Sequence, residues 1–391
     1  MDIKTLATKR GHPLLWIGIL FVLSLGFRLP FVLVGSSSNL WIEALDIVHA
    51  NNAAYLEDTH SSLGQPPMAF WIHGVFGKNS IGINAPAILG FNLFLHALSG
   101  VLVYLTTTLL CLRKGLGSTY VPAIVATCVY FFLPSTLWFQ GYIYGPETLA
   151  QVFFIGSVYT SLKLLMRKRF VSFKYLFWYS VLLFCFTLTS WFGFIFGLVV
   201  ALYSLYRWQR DRNYAHFVGV TLLTLLLSII LLVQAKYYQH GGINFIDFMS
   251  QKLSDHNSLN RNDFLLGIPK NIITSIGNYV LLLAPIVPLA CILVYFVMRN
   301  RGMKFVFTRN GLRFFGLAAW PVISLHILLL SYASQGFTTL YMAYFFSVLV
   351  GIFYNKLNAI RLLPIKTSII LLLLCLGTSF ITLQALFFEL G

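Results

Sequence analysis

The chain has few charged residues. Only 10% of its 391 residues are charged and 58% are hydrophobic, with a mean hydropathy of +0.80, whereas an ordinary soluble domain has about a quarter charged residues. Apolar runs close to the ~20 residues that cross a bilayer recur along the whole chain. These features exclude an ordinary soluble domain and predict an all-α polytopic membrane protein.

Cysteine pairs, internal repeats and low-complexity linkers are also missing. The five cysteines all fall inside apolar runs and form no CxxC spacing, which excludes a zinc ribbon or a disulfide framework. We interpret them as small core residues. With no repeat or linker to divide it, residues 1–391 are predicted to be a single transmembrane domain.

Eleven spans are predicted, with an uncertain short pair at 174–208, where the chain must turn sharply or stay partly in the bilayer. The spans cover roughly 13–35, 84–112, 120–140, 146–166, 174–189, 191–208, 215–235, 271–298, 313–333, 336–354 and 362–386.

The basic residues predict the orientation. With the N-terminus in the cytoplasm, twenty of the 27 Lys and Arg residues fall on the cytoplasmic side, as the positive-inside rule requires. They form short separated clusters rather than one stripe, so the net charge of +16 needs no nucleic acid partner.

The acidic residues show the opposite distribution. In this topology nine of the eleven lie outside or at an outer helix end, and acids contribute little to orientation. A functional site on the outer face would explain that split. Its parts would come from two outer loops, about 36–83 and 236–270, and from short outer links.

The first outer loop contains "LWIEALDIVHANN", residues 40–52, which has the spacing of an amphipathic interfacial helix. Glu43 and Asp46 lie three residues apart on its polar side, where they can bind a divalent cation or act as a general base. A solvated helix face is the alternative.

Glu147 follows a proline at the outer start of a span, in "GPETLAQVFF". Two interpretations remain open: stabilisation of the helix N-terminus, or a carboxylate directed into an outer cavity. If the site carboxylates face solvent, their substitution is expected to abolish activity without loss of folded protein.

Several further polar residues are candidates for metal or phosphate binding. His60 and His73 flank the Pro66-Pro67 pair, and His256 lies in the second outer loop. A lone histidine at an interface is more often an ordinary polar group than a ligand. Arg28, within the first span, either snorkels outward or meets an anionic headgroup.

The arrangement resembles the GT-C superfamily of polyprenyl-phosphate-sugar-dependent glycosyltransferases. The shared features are an acidic interfacial helix after the first span, then "LGQPPMAFWIHGVFG" (63–77), then "GPETLAQVFF" (145–154). The bacterial branch related to protein O-mannosyltransferases and lipid A sugar transferases is the most similar. Two positions depart from its pattern: Ile42 stands where the family has aspartate, and Gln65 where it has histidine.

The resemblance implies a GT-C-like bundle with an outer interfacial helix. The implied enzyme is an inverting transferase that moves a sugar from a polyprenyl-phosphate donor to a glycan, lipid or protein acceptor on the outer face, in a bacterial inner membrane. The implied site residues have three roles. Glu43 or Asp46 is the general base, with Glu147 as the second acidic motif; Gln65, His60, His73, Arg28, Lys236, Arg261 and His256 bind substrate; and Glu43 with Glu147 is a tentative site for a divalent ion such as Mg, Mn or Zn.

Two other functions stay open on the sequence alone. A lipid or sugar transporter or flippase would place ionisable residues near mid-membrane, and the spans hold few besides Arg28, His96 and His326. An O-antigen polymerase or ligase would use several arginines and a histidine in a large outer loop, but Arg261 is the single arginine of 236–270.

Overall fold

The structure is a computed structural model, and it describes most of the helical part of the chain. The described residues are 13–37, 68, 78–79, 82–83, 85–111, 120–141, 146–166, 172–209, 214–239, 261–284, 286, 295, 309–330, 334, 336–359 and 376–384. The helices are α1 (Pro13–Ser37), α2 (Ala85–Cys111), α3 (Tyr120–Phe132), α4 (Pro134–Gly141), α5 (Pro146–Met166), α6 (Phe173–Thr189), α7 (Phe192–Trp208), α8 (Tyr214–Gln239), α9 (Arg261–Leu282), α10 (Arg309–Leu328), α11 (Thr339–Ala359) and α12 (376–384), with a 3-10 turn at Gly336–Thr338 before α11.

The all-α prediction is confirmed for these residues, apart from one minimal hairpin. Strand β1 (Lys78–Asn79) pairs antiparallel with β2 (Gly82–Ile83). Two extended residues on each side of a two-residue link meet through their backbone groups, which a pattern of apolar periodicity does not reveal.

Among the described residues, six helices are long and apolar enough to cross a membrane, or seven if the bent pair α3–α4 counts as one span. The six cover Gly90–Cys111, Glu147–Met166, Trp191–Trp208, Tyr214–Gln234, Gly311–Leu328 and Gly336–Asn355. Helix α6 and the Leu15–Phe27 part of α1 are shorter apolar helices. The molecule is a multi-pass membrane protein, and the total of eleven spans and the orientation stay predictions.

The predicted span at 120–140 is broken rather than continuous. Helices α3 and α4 meet at an angle of 60°, because Pro134 has no N–H to bond the carbonyl of Tyr130 four residues earlier. The Thr136 hydroxyl donates to that carbonyl instead, and it also lies 3.0 Å from the carbonyl of Leu133. The bend therefore leaves no open backbone acceptor at Tyr130 in an apolar interior.

Aromatic side chains form the centre of the bundle. Phe154 of α5 is fully buried and touches rings from α6, α7 and α11, with centroid distances of 6.0 Å to Phe186, 5.3 Å to Phe192 and 5.3 Å to Tyr341. Phe192 and Tyr341 are themselves 4.4 Å apart. This cluster fixes the first turns of α7 and α11 against α5.

A sharp turn joins the short helices α6 and α7, as one of the two interpretations of 174–208 predicts, and the depth of this pair in the bilayer stays a prediction. Only Ser190 and Trp191 separate the helices, and the N–H of Gly193 bonds the carbonyl of Ser190 at 2.9 Å. A Cβ at Gly193 would lie 2.6 Å from the backbone of Phe186 and Thr187, so this turn requires glycine.

Helix α8 continues to Gln239 and α9 begins at Arg261, so helical structure extends into both edges of the predicted outer loop at 236–270. The assignment of this loop to the outer face stays a prediction. The predicted interfacial helix at 40–52 lies outside the described residues.

Candidate functional site

Glu147 lies in the first turn of α5 and is only 5% exposed. The premise that the site carboxylates face solvent is therefore wrong for this residue. A carboxylate taken out of water must be held by hydrogen bonds, because burying it bare is costly. Its position next to Pro146 also satisfies the helix-start interpretation.

Two hydroxyl groups from distant parts of the chain hold the Glu147 carboxylate. The Ser190 hydroxyl lies 3.2 Å from Oε1 and 3.3 Å from Oε2, and the Tyr341 hydroxyl donates to Oε2. The Ser190 oxygen in turn accepts the backbone N–H of Phe192 at 3.2 Å. The carboxylate is thus oriented by three elements: α5, the α6–α7 turn and α11.

These elements meet at one end of the bundle. Helix α5 begins there, the α6–α7 turn lies there and α11 begins there. Helix α5 leads away to the basic cluster at 167–169, so Glu147 lies at the opposite end. That is the end which the charge pattern predicts to be outside.

A chain of buried polar side chains starts one helical turn below Glu147. Gln151 donates from Nε2 to the backbone carbonyl of Leu340 at 2.8 Å, and the same nitrogen makes a long contact of 3.5 Å to the Tyr130 hydroxyl. That hydroxyl donates to Gln140 Oε1 at 3.1 Å. Helices α3, α4, α5 and α11 are joined through these groups.

The chain ends on α2. His96 Nδ1 lies 2.7 Å from Gln140 Oε1, and Gln140 Nε2 donates to the Ser99 hydroxyl at 3.3 Å. An amide oxygen only accepts, so His96 donates from Nδ1. All of these side chains are fully buried, and polar groups in such apolar spans are costly and often functional.

Two buried amide oxygens in this region have no hydrogen-bond partner among the described residues: Gln151 Oε1 and Asn92 Oδ1.

Most of the other predicted site residues cannot be related to Glu147. Glu43, Asp46, His60, Gln65, His73 and His256 lie outside the described residues. The backbone places Arg28 in the second half of α1, Lys236 in the last turn of α8 and Arg261 at the start of α9, and their side chains lie outside the described part.

A metal site is not complete within the described residues, where no group of three His, Cys, Asp or Glu side chains comes together. Glu147 supplies one carboxylate, whose oxygens accept hydroxyl bonds from Ser190 and Tyr341. The tentative pair of Glu43 and Glu147 stays a prediction.

Sequence reasoning missed Tyr130, Gln140 and Gln151 and gave His96 no role. A signal was present, because Glu147 and Gln151 are four residues apart and so share one helix face. The partners are on other helices, and no local pattern relates Gln151 to residue 340.

No protein-family model matches the sequence, and no curated protein sequence matches it. A solved structure does: the crystal structure of the Archaeoglobus fulgidus oligosaccharyltransferase in the apo form matches with a TM-score of 0.57 at 11% identity, covering 97% of this chain and 56% of that one. The crystal structure of the complex of that oligosaccharyltransferase with Zn and sulfate matches with a TM-score of 0.47 at 11% identity, covering 82% and 44%.

The first of these matches defines the fold class. At 11% identity it shows a likeness of fold to that oligosaccharyltransferase, and the GT-C superfamily implied by the sequence motifs stays a prediction. The chain spans little more than half the length of the oligosaccharyltransferase it matches. The particular branch of the superfamily stays a prediction.

Proposed function

We propose that this protein is a membrane glycosyltransferase that moves a sugar from a polyprenyl-phosphate-linked donor to an acceptor hydroxyl on the outer face of a bacterial inner membrane. The observation that carries the proposal is the fold likeness to an oligosaccharyltransferase over 97% of the chain. The buried, oriented carboxylate of Glu147 at the predicted outer end of the bundle supports it.

The proposed reaction is an inverting displacement. Glu43 or Asp46 takes the proton of the acceptor hydroxyl, whose oxygen attacks the anomeric carbon of the donor sugar. The bond from that carbon to the phosphate oxygen breaks, and polyprenyl phosphate leaves with the electron pair. Arg28, Lys236 or Arg261 offsets the charge that develops on the leaving phosphate.

Glu147 has two proposed contributions. Together with Glu43 it would hold a divalent ion, which when bound stabilises negative charge on the phosphate. Its bonds to Ser190 and Tyr341 keep the end of the bundle in one geometry. Gln65, His60, His73 and His256 are proposed to contact the donor headgroup.

The test is sugar transfer in membranes or reconstituted vesicles with radiolabelled polyprenyl-phosphate donors. Wild type is compared with Glu43→Gln, Asp46→Asn and Glu147→Gln. Asp211→Asn is the matched control, because this residue falls between α7 and α8 in the sequence, on the side that the charge pattern predicts to be cytoplasmic. Folded protein is quantified for each variant by size-exclusion chromatography.

We expect transfer to be lost in Glu147→Gln and in one of the two variants of the interfacial helix, and kept in Asp211→Asn. Glu147→Gln is also expected to reduce stability, because its amide cannot accept at both terminal atoms. Transfer at wild-type rate in all three site variants would refute the carboxylate mechanism, and no transfer from any donor would refute the enzyme proposal.

A transporter is the second candidate, and one observation favours it. His96 is fully buried in a polar network that joins five helices, which is the kind of interior group that transport pathways use. Flux of a fluorescent polyprenyl-phosphate lipid across vesicles that contain the protein, lost in His96→Phe, would support transport. Absence of flux in wild type would remove this candidate.

A further inference from the structure

We propose that Gln151 is a positioning residue, which holds the start of α11 so that the Tyr341 hydroxyl stays on Glu147. This inference rests on the proposed function for its effect on transfer. Two contacts join α5 to α11 here: Glu147 with Tyr341, and Gln151 with the carbonyl of Leu340. We call this pair the α5–α11 clamp.

The two contacts of the clamp are in register. Glu147 and Gln151 are four residues apart on one face of α5, and their partners are consecutive residues in the first turn of α11. The Gln151 bond is to the backbone at 2.8 Å, so it fixes the position of the chain itself. Because Tyr341 follows Leu340 directly, its backbone is fixed by the same bond.

The orientation of the Gln151 amide is determined by its surroundings. If the amide were reversed, Oε1 would face the carbonyl oxygen of Leu340, and two acceptors would meet. One hydrogen of Nε2 therefore points to Leu340 and the other towards Tyr130. Oε1 has no partner among the described residues.

Further hydrogen bonds hold the Tyr130 hydroxyl, which the amide nitrogen of Gln151 contacts. Tyr130 is held by Gln140, which is held in turn by His96 and Ser99 of α2. The path runs from α2 through α4 and α3 to α5 and ends at the clamp. A nonpolar side chain of the same length at position 151 would fill the space but would form no hydrogen bond to Leu340 or Tyr130.

The test is a double-mutant cycle on purified, lipid-reconstituted protein with Gln151→Met, Tyr341→Phe and the double variant. If Gln151 acts through Tyr341, Gln151→Met lowers kcat on the order of tenfold or more with an unchanged KM, since a 1 Å displacement of a positioned group can cost about a hundredfold. In the Tyr341→Phe background it then adds little. Tyr179→Phe is the matched control: it removes a buried tyrosine hydroxyl that bonds Thr221 at 3.2 Å, away from the clamp.

A second readout does not need activity. Infrared difference spectra against Glu147→Gln, recorded in each background, isolate the carboxylate band of Glu147 in a chain that has only eleven acidic residues. We expect Tyr341→Phe to move this band, Gln151→Met to move it in the same direction, and Tyr179→Phe to leave it unchanged. If Gln151→Met does not yield folded protein, Gln151→Asn, which withdraws the amide by one methylene, replaces it.

Additive effects on kcat, or a Glu147 band that Gln151→Met leaves at its wild-type position, would overturn the inference. If wild type transfers no sugar from any donor, the proposed function fails while the infrared comparison still decides whether Gln151 positions Tyr341 on Glu147.

Discussion

Gly193 lies near the candidate site, and a methyl group added there would collide with backbone atoms of α6. An alanine Cβ there would lie 2.6 Å from the carbonyl carbon of Phe186 and 2.6 Å from the amide nitrogen of Thr187. Ordinary van der Waals contact begins at 3.4 Å, so the shortfall is about 0.8 Å. The opposing atoms are backbone atoms of α6, which cannot rotate away, and the two helices must separate.

We expect Gly193→Ala to destabilise the protein by about 1–3 kcal/mol, the usual cost of overpacking. The displaced turn carries Ser190, so the variant should also weaken the hold on Glu147 and reduce sugar transfer. Stability is measured by thermal unfolding in detergent with a thiol-reactive fluorophore. Cys128 is a buried free thiol, so its labelling reports exposure of the interior.

Gly219→Ala is the control for this prediction. Gly219 lies inside α8 with nothing within 4 Å of a built Cβ, and alanine there should stabilise the helix by up to about 1 kcal/mol. The two variants carry the same chemical change in opposite surroundings. If Gly193→Ala unfolds at the same temperature as Gly219→Ala, the tight α6–α7 turn is not as described and the reasoning fails.

Two further predictions concern the interior of the bundle. Thr136→Val should lower the free energy of unfolding by about 1–3 kcal/mol, because it leaves the buried carbonyl of Tyr130 without its hydroxyl donor. Chemical denaturation measures this loss. The control is Thr108→Val, which removes a hydroxyl without a partner among the described residues and should leave the stability unchanged. Phe154→Ala should cost about 3–5 kcal/mol, as expected for a fully buried aromatic, whereas Phe94→Ala, at 59% exposure, should change the melting temperature little; equal effects in either pair would contradict the description of the core.

The break in the predicted span at 120–140 has a local signal in the sequence. Leu133-Pro134 is an explicit signal for a helix end, since proline disfavours the helical conformation of the preceding residue. The apolar run continues through it, and length alone predicted one span. Pro134 accounts for the break of 60°, but the contact of Gln140 with His96 is made across to α2 and follows from no local pattern.

The candidate site shows the same division. Glu147 was selected from "GPETLAQVFF" because a carboxylate after proline at a helix start is conspicuous in a chain with so few charges. Whether it faces solvent or the interior is decided by Ser190 and Tyr341, which are 43 and 194 residues away in sequence. Its spacing of four residues from Glu147 places Gln151 on the same face of α5, but its partner on α11 follows from no local pattern.

The sequence by itself determined the class of protein. A bilayer leaves no water for the backbone, so long apolar runs must be helices, and their composition is evident without any knowledge of packing. The tertiary structure alone decided which polar side chains meet. Hydrogen bonds between helices depend on how the helices turn, bend and cross, and these features are set by contacts such as the Gly193 turn and the Phe154 cluster, between residues that are far apart in the chain.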